Sequence, residues 1–193
     1  WVSGGCSADL EGGPGAGAGD GDKDGYADLL VGACEYTDGE TDEGAVFLYS
    51  GSSAGLATTE SWTVQSDQDA AQLGYSVAGA GDLNGDGRLD ITLAAKGGPS
   101  DKSGKGEWFA WWEAGEDPTK PFKKHRLPGK HPGATNILPA DVNGDGKLDI
   151  IASRGHGRGL IWYENPGWKI YDINTELLSS HCLQVGEDRK SVV

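Results

Sequence analysis

The sequence has no methionine, only three cysteines and no long hydrophobic run among its 193 residues. Because no apolar stretch approaches 18 residues, we predict that no helix of this segment spans a membrane. Basic residues are scarce in the first half, since residues 1–100 carry 17 acids and 3 bases. An acidic chain of this kind repels nucleic acid and attracts cations, which excludes a nucleic acid partner.

The three cysteines, Cys6, Cys34 and Cys182, form no CxxC pair and have no spacing typical of zinc ligands. A zinc site is therefore not expected. Two alternatives stay open for these residues. One is a single disulfide formed in an oxidising compartment, with Cys6 and Cys34 as the favoured pair, and the other is free buried thiols.

Long helices are not expected, because 33 glycines and 8 prolines interrupt the chain. Hydrophobic residues make up 36% of the sequence and come in short clusters, such as residues 29–31 and 45–49. These clusters argue against disorder. The pattern predicts an all-β fold of many short strands between glycine-rich turns.

Three nonapeptides align without gaps and share the pattern D-x-[DN]-x-D-G-x-x-D. They begin at Asp20, Asp82 and Asp141, which are 62 and 59 residues apart. Each runs directly into a short apolar segment typical of a β-strand. The chain is therefore predicted to contain three copies of one unit.

The residue types of the nonapeptide are those of a calcium loop. Oxygen-bearing side chains at positions 1, 3, 5 and 9 and a backbone carbonyl at position 7 suit a hard cation, and glycine at position 6 allows a sharp turn. EF-hand and dockerin loops begin alike but carry an acid at position 12, where this sequence has Val31, Leu93 and Ala152. The alternative is a solvated turn that binds nothing.

The predicted calcium ligands fall into one set per nonapeptide, with position 7 contributing its main-chain carbonyl, and they predict about three Ca²⁺ ions. The ligands are Asp20, Asp22, Asp24, Tyr26 and Asp28; Asp82, Asn84, Asp86, Arg88 and Asp90; and Asp141, Asn143, Asp145, Lys147 and Asp149.

Around these loops the sequence resembles the FG-GAP repeats of integrin α-chain β-propellers and their bacterial relatives. The resemblance is carried by residues 73–82, which read LGYSVAGAGD, and by residues 44–56, which read GAVFLYSGSSAGL. Residues 109–113 and 160–164 match one another and resemble the related VCBS-type repeats. The resemblance implies a β-propeller whose loops bind calcium, and tryptophans that either pack between blades or form a sugar-stacking platform.

The propeller resemblance implies about three four-stranded antiparallel blades of an incomplete ring, seven-bladed or similar. The expected repeats are 1–62 and 63–122 of FG-GAP type and 123–187 of VCBS type, and the remaining blades are expected to be missing from this chain. Residues 188–193 are expected to be a non-native tail, because a fourth loop is predicted to start at Glu187. The start at Trp1 is expected of a processed product or a fragment.

The expected function is that of a calcium-binding propeller segment of a secreted or cell-surface protein, acting in adhesion or in binding a protein or glycan ligand. A scaffold role and the propeller domain of a polysaccharide lyase or related carbohydrate-active enzyme are the alternatives. The strongest enzyme candidate is the cluster Arg154, His156 and Arg158, which could equally be a solvated hairpin tip. Further polar candidates are His125, Arg126, His131 and His181.

A basic cluster precedes the third repeat. It could meet an anionic glycan or phosphate, or be a solvated loop, which its interspersed prolines favour. Its members are Lys120, Lys123, Lys124, Arg126 and Lys130.

Overall fold

The computed structural model describes residues 15–97, 106–116, 121–180 and 183–186. Cys6, Cys182, His181, Lys120 and the predicted tail 188–193 lie outside the described residues. Twelve strands account for the regular structure of the described part. They are β1 (Gly15–Gly19), β2 (Asp28–Ala33), β3 (Ala45–Tyr49), β4 (Trp62–Gln65), β5 (Leu73–Gly81), β6 (Asp90–Ala95), β7 (Trp108–Glu113), β8 (Lys123–Arg126), β9 (Asn136–Ala140), β10 (Asp149–Ser153), β11 (Arg158–Glu164) and β12 (Lys169–Leu178).

The strands form three four-stranded sheets in sequence order, β1–β4, β5–β8 and β9–β12, and every strand pair within them is antiparallel. We call these sheets blade 1, blade 2 and blade 3. The all-β fold of four-stranded antiparallel blades is thereby confirmed. In the described part of the chain, no helix has the length and apolar character needed to cross a membrane.

Two hydrophobic clusters lie between consecutive blades. Leu30 and Val46 of blade 1 pack with Trp108 and Trp112 of blade 2 in the first cluster. The second cluster joins blades 2 and 3, and its aromatic members include Phe109, Trp111 and Tyr163. Blades 1 and 2 are thus each covered by the next blade along the chain, as in a propeller.

The predicted repeat boundaries after residues 62 and 122 fall close to the fourth strand of a blade. Trp62 opens β4, which pairs with β3, and Lys123 opens β8, which pairs with β7. The sheets themselves run from 15 to 65, 73 to 126 and 136 to 178. Strands β4 and β8, beside which the boundaries were expected, therefore belong to the sheets of blade 1 and blade 2.

Cys34 directly follows β2, is buried and is disulfide-bonded. Its partner cysteine lies outside the described residues. The alternative of free buried thiols is therefore wrong for Cys34.

Blades 1 and 2 approach each other closely where β2 of blade 1 lies beside β5 of blade 2. Gly32 of β2 lies against the carbonyl oxygen of Gly74 in β5, so that a Cβ on Gly32 would overlap this oxygen. Gly44 forms an isolated parallel bridge with Leu73 and has a φ of 78°. The contact needs residues without side chains because backbone meets backbone across the blade boundary.

Candidate calcium site

The three Asp-rich nonapeptides occupy equivalent places in the three blades. Each connects the first strand of its blade to the second, so all three lie at the same end of the strands. Glycine at position 6 has a positive φ in each copy, between 80° and 92°, as a sharp turn requires. Position 4 is also left-handed and carries Lys23, Gly85 and Gly144. The three loops therefore share the left-handed backbone at positions 4 and 6.

The acid at position 1 organises each loop by accepting hydrogen bonds from the backbone. One carboxylate oxygen accepts the N–H of the position 6 glycine, at 3.0 Å for Asp20, 2.7 Å for Asp82 and 2.9 Å for Asp141. The side chains at positions 3 and 5 accept the N–H two residues further on. These bonds fix the side chains at positions 1, 3 and 5 against the backbone of their own loop.

The acid at position 9 is buried and holds the loop to the rest of its blade. One of its oxygens accepts the N–H of position 2, at 2.8–3.2 Å. The other accepts the N–H of the residue that follows or nearly follows the third strand, namely Gly51, Ala114 or Asn165. Asp28, Asp90 and Asp149 are at most 4% exposed. These three acids therefore fix each loop to the third strand of its blade, a role that we call the latch. They are also predicted calcium ligands.

The first loop shows the clearest metal-binding geometry. Asp20, Asp22 and Asp24 each place a carboxylate oxygen within 4.8 Å of the others. Among the described residues, this is the one group of three or more His, Cys, Asp or Glu side chains so arranged. Partial desolvation raises the pKa of Asp22 above its usual range, and repulsion from Asp24, Asp28 and Asp20 adds to this, although the hydrogen bond from the Asp24 N–H opposes it. A divalent cation would relieve this repulsion.

The second loop contains a positively charged side chain, that of Arg88, which pairs with one of the loop's own acids. The Arg88 guanidinium donates to Asp86 Oδ2 at 2.6 Å and to the Ala114 carbonyl at 3.0 Å. Burial opposes ionisation of Asp86, but hydrogen bonds from Arg88 and Asn84 and the charge of Arg88 hold its pKa below the usual range. Burial raises the pKa of Asp90 to about 6 despite its two backbone hydrogen bonds. The Arg88 side chain thus favours the ionised form of Asp86.

The leucine at position 8 of the second and third nonapeptides is a packing residue that the sequence pattern did not single out. Leu89 lies against Gly19 and Gly21 of the first loop region, and Leu148 lies against Gly81, just before the second loop. Each leucine packs against the core between its own blade and the preceding one. The shared ending G-[RK]-L-D of the second and third nonapeptides was the available signal.

We predict that Leu148→Ala destabilises the chain by about 2 kcal/mol, because a partly buried leucine loses its contacts between blades 2 and 3. Chemical unfolding monitored by tryptophan fluorescence measures the change. Leu56→Ala is the matched control, since Leu56 is 51% exposed and its truncation should cost less than about 0.5 kcal/mol. Equal effects of the two substitutions would contradict the packing role of Leu148.

The candidate enzyme cluster does not converge on one point. Arg154 pairs with Asp172 at 3.1 Å and Arg158 pairs with Glu176 at 3.2 Å, both on β12. His156 instead contacts blade 2, where its Nε2 lies 3.1 Å from the Tyr75 hydroxyl. The two arginines are thus engaged by acids of their own blade.

The other candidate histidines that the structure describes, His125 and His131, are also engaged in structural contacts. His131 is buried, its Nε2 lies 2.7 Å from the Tyr163 hydroxyl, and burial lowers its pKa. His125 stacks on Trp111 with ring centroids 4.1 Å apart and lies 2.6 Å from Glu113. These contacts tie β8 and the loop before β9 to their neighbours.

The described members of the basic cluster pair with acids or aromatic rings. Lys123 binds Glu113 at 3.2 Å, and Lys130 binds Glu107 at 3.1 Å. Lys124 places its Nζ 3.8 Å from the centre of the Trp108 ring, and burial against this surface lowers its pKa to about 8. The cluster is therefore not a uniform positive surface.

Three antiparallel blades, each with an Asp-rich loop between its first and second strands, are the arrangement that the FG-GAP resemblance implies. The family model described as "FG-GAP-like repeat" matches residues 82–152 of this chain. The match contains the second and third loops in full, so residues 82–152 are similar to FG-GAP repeats.

Integrin α-chains are among the similar proteins. Integrin alpha-4 of Xenopus laevis is 30% identical over 155 residues, covering 75% of this chain and 13% of that protein. Integrin alpha-5 of Xenopus laevis is 36% identical over 86 residues, and integrin alpha pat-2 of Caenorhabditis briggsae is 37% identical over 84 residues. These two alignments each cover 42% of this chain, and they cover 8% and 7% of the respective relative. The chain thus spans a small part of the length of these relatives.

Proposed function

We propose that the chain is a calcium-binding β-propeller segment of a secreted or cell-surface protein and acts in adhesion or in binding a protein or glycan ligand. The observation that supports calcium binding best is the set of three exposed carboxylates in the first loop, whose oxygens lie within 4.8 Å of one another. Close carboxylates repel each other unless a cation lies between them. The matching backbone hydrogen bonds of the other two loops extend the proposal to three ions.

Two features support a location outside the cytosol. Cys34 is disulfide-bonded, and disulfides persist in oxidising compartments. Loops of this kind in extracellular modules fill at the millimolar calcium concentrations found outside cells. The similarity to integrin α-chains supports adhesion as the broader role.

We predict that removing calcium with EDTA lowers the melting temperature by at least about 5–10 °C, the shift expected from a single occupied site. Calcium at 100 times its Kd would contribute about 2.7 kcal/mol through a single site, and each kcal/mol shifts the melting temperature of a domain of this size by about 2–4 °C. Differential scanning calorimetry with and without EDTA measures the shift, and calorimetric titration of the stripped chain counts the ions.

The control is a triple variant with Asp24→Ala, Asp86→Ala and Asp145→Ala. These side chains are exposed and their hydrogen bonds, including the ion pair of Asp86 with Arg88, stay within their own loops. Their loss should therefore remove the calcium response and change the melt in EDTA only slightly. An identical melt of the original chain with and without EDTA would contradict the proposal.

A further inference from the structure

The boundary between blades 1 and 2 contains a cavity of about 370 Å³. Its lining comes from both blades and includes Trp62, Phe122, Arg88, Leu89 and Gly21. Pockets for small organic molecules commonly have volumes of about 300–1,000 Å³, so the cavity is large enough to hold one. Gly21 and Leu89 belong to the first and second Asp-rich loops, which places the cavity at the end of the blades where these loops lie.

Comparison with the boundary between blades 2 and 3 shows why the cavity exists. There, the position 2 residue Leu83 is buried in the hydrophobic cluster between the blades, and the Asn165 side chain donates to the Leu83 carbonyl across the boundary. The equivalent residues at the boundary between blades 1 and 2 are Gly21 and Ala114, which both line the cavity. The cavity therefore lies where the next boundary has one apolar side chain and one carboxamide.

The hydrogen bonds of Asn165 indicate which groups a ligand in this cavity can bind. Its side-chain amide donates to the carbonyl of Leu83, at position 2 of the preceding loop, and to that of Leu148, at position 8 of its own loop. The corresponding carbonyls at the other boundary belong to Gly21 and Leu89. Among the described residues, no side chain donates a hydrogen bond to either of them. The NH₂ group of a ligand can take this place.

Arg88 supplies the hydrogen-bond donor that a carboxamide oxygen needs. Its side chain lines the cavity and donates through Nε to the Ala114 carbonyl and through Nη2 to Asp86. Neither bond uses Nη1, which carries two further N–H groups. A carboxamide oxygen can accept from these groups, whereas the guanidinium charge repels a ligand ammonium. The cavity is therefore better suited to an uncharged amide than to an amine.

We propose that this cavity binds a small molecule in which a primary carboxamide is attached to an apolar group. The NH₂ group donates to the carbonyls of Gly21 and Leu89, the amide oxygen accepts from Arg88, and the apolar group packs against Trp62 and Phe122. The asparagine and glutamine side chains of proteins lack such an apolar group, which favours a small molecule over a peptide. The inference goes beyond the proposed adhesion role and depends neither on that role nor on calcium binding.

Titration of the chain with benzamide, followed by heteronuclear NMR, tests the proposal. Benzamide is small, so we expect a Kd of about 1–10 mM. The indole N–H signal of Trp62 and the main-chain N–H signal of Leu89 should shift with this Kd. Acetophenone is the matched ligand, because it has a methyl group in place of the NH₂ group of benzamide. Its Kd should be at least about fivefold higher, since it cannot donate to the two carbonyls.

Ala114→Asn is expected to abolish the benzamide-dependent shifts. The new amide can reach the carbonyls of Gly21 and Leu89, as that of Asn165 reaches the equivalent carbonyls at the next boundary. Ala54→Asn is the matched control, since it places the same side chain at an exposed position outside the cavity and should leave benzamide binding unchanged. Circular dichroism verifies that both variants are folded. If Ala114→Asn did not fold, the comparison of benzamide with acetophenone in the original chain would decide.

Four results would overturn the proposal. The first is that benzamide shifts neither the Trp62 nor the Leu89 signal. The second is equal affinity for benzamide and acetophenone, which would show that the carbonyls do not recognise the NH₂ group. The third is tighter binding of benzylamine than of benzamide, which would make an ammonium the ligand, attracted by Asp22 in the cavity lining. The fourth is unchanged binding by folded Ala114→Asn chains, which would place benzamide elsewhere.

Discussion

Asp149→Ala is expected to lower the free energy of unfolding by about 3 kcal/mol or more, even in EDTA. Asp149 is fully buried and accepts the N–H groups of Val142 and Asn165 at 3.2 and 2.8 Å. Alanine leaves both donors without this partner, and a buried unsatisfied donor costs about 1–3 kcal/mol. Urea unfolding in EDTA, followed by tryptophan fluorescence, measures the loss.

Asp145→Ala tests the metal site of the third loop separately from the latch role of Asp149. Asp145 is exposed, and its side chain accepts the N–H of Lys147 two residues away. Its loss should leave stability in EDTA within about 0.5 kcal/mol of the original and remove the part of the calcium-dependent stability that the third loop contributes. If Asp149→Ala and Asp145→Ala behaved alike in EDTA, the latch role of the position 9 acid would be wrong.

Gly32→Ala is expected to destabilise the chain by about 3 kcal/mol, through overpacking at the boundary between blades 1 and 2. The new Cβ would overlap the carbonyl oxygen of Gly74 and press on Val77. Backbone cannot rotate away as a flexible side chain can, so the strands β2 and β5 must separate. Thermal unfolding followed by circular dichroism measures the change.

Gly186→Ala serves as the control for Gly32→Ala. A Cβ at Gly186 would meet nothing within 4 Å, and its backbone φ lies outside the left-handed region. The substitution should change the melting temperature by less than about 2 °C. If the Gly32→Ala and Gly186→Ala chains had the same melting temperature, blades 1 and 2 would not be in close backbone contact.

Much of the fold could be predicted from local pattern. The runs after each nonapeptide, beginning at Leu29, Ile91 and Ile150, lie in the strands that the apolar residues predicted. The matching segments 109–113 and 160–164 lie in the third strands of blades 2 and 3. Repetition made these assignments possible, because three copies of one pattern show which positions are constrained.

The chemistry of the candidate site was only partly predictable. The sequence showed oxygen-bearing residues at suitable spacing, but it could not show that the position 9 acid binds the end of the third strand, 16 to 24 residues away. The contact between His156 and Tyr75 joins residues 81 positions apart, and the ion pair of Arg154 reaches β12. Such contacts depend on how blades and strands meet, which composition and local spacing do not specify.

Asn165 of blade 3 forms hydrogen bonds with both the second and the third Asp-rich loop. Its main-chain N–H binds Asp149, while its side-chain amide donates to the carbonyls of Leu83 in the second loop and Leu148 in the third, at 2.7 and 3.0 Å. Separating blade 2 from blade 3 would therefore break a hydrogen bond between the two blades, that of the Asn165 amide with the Leu83 carbonyl. The smallest piece of this propeller suited to separate expression is consequently a pair of adjacent blades, and single repeats should not be expected to fold alone.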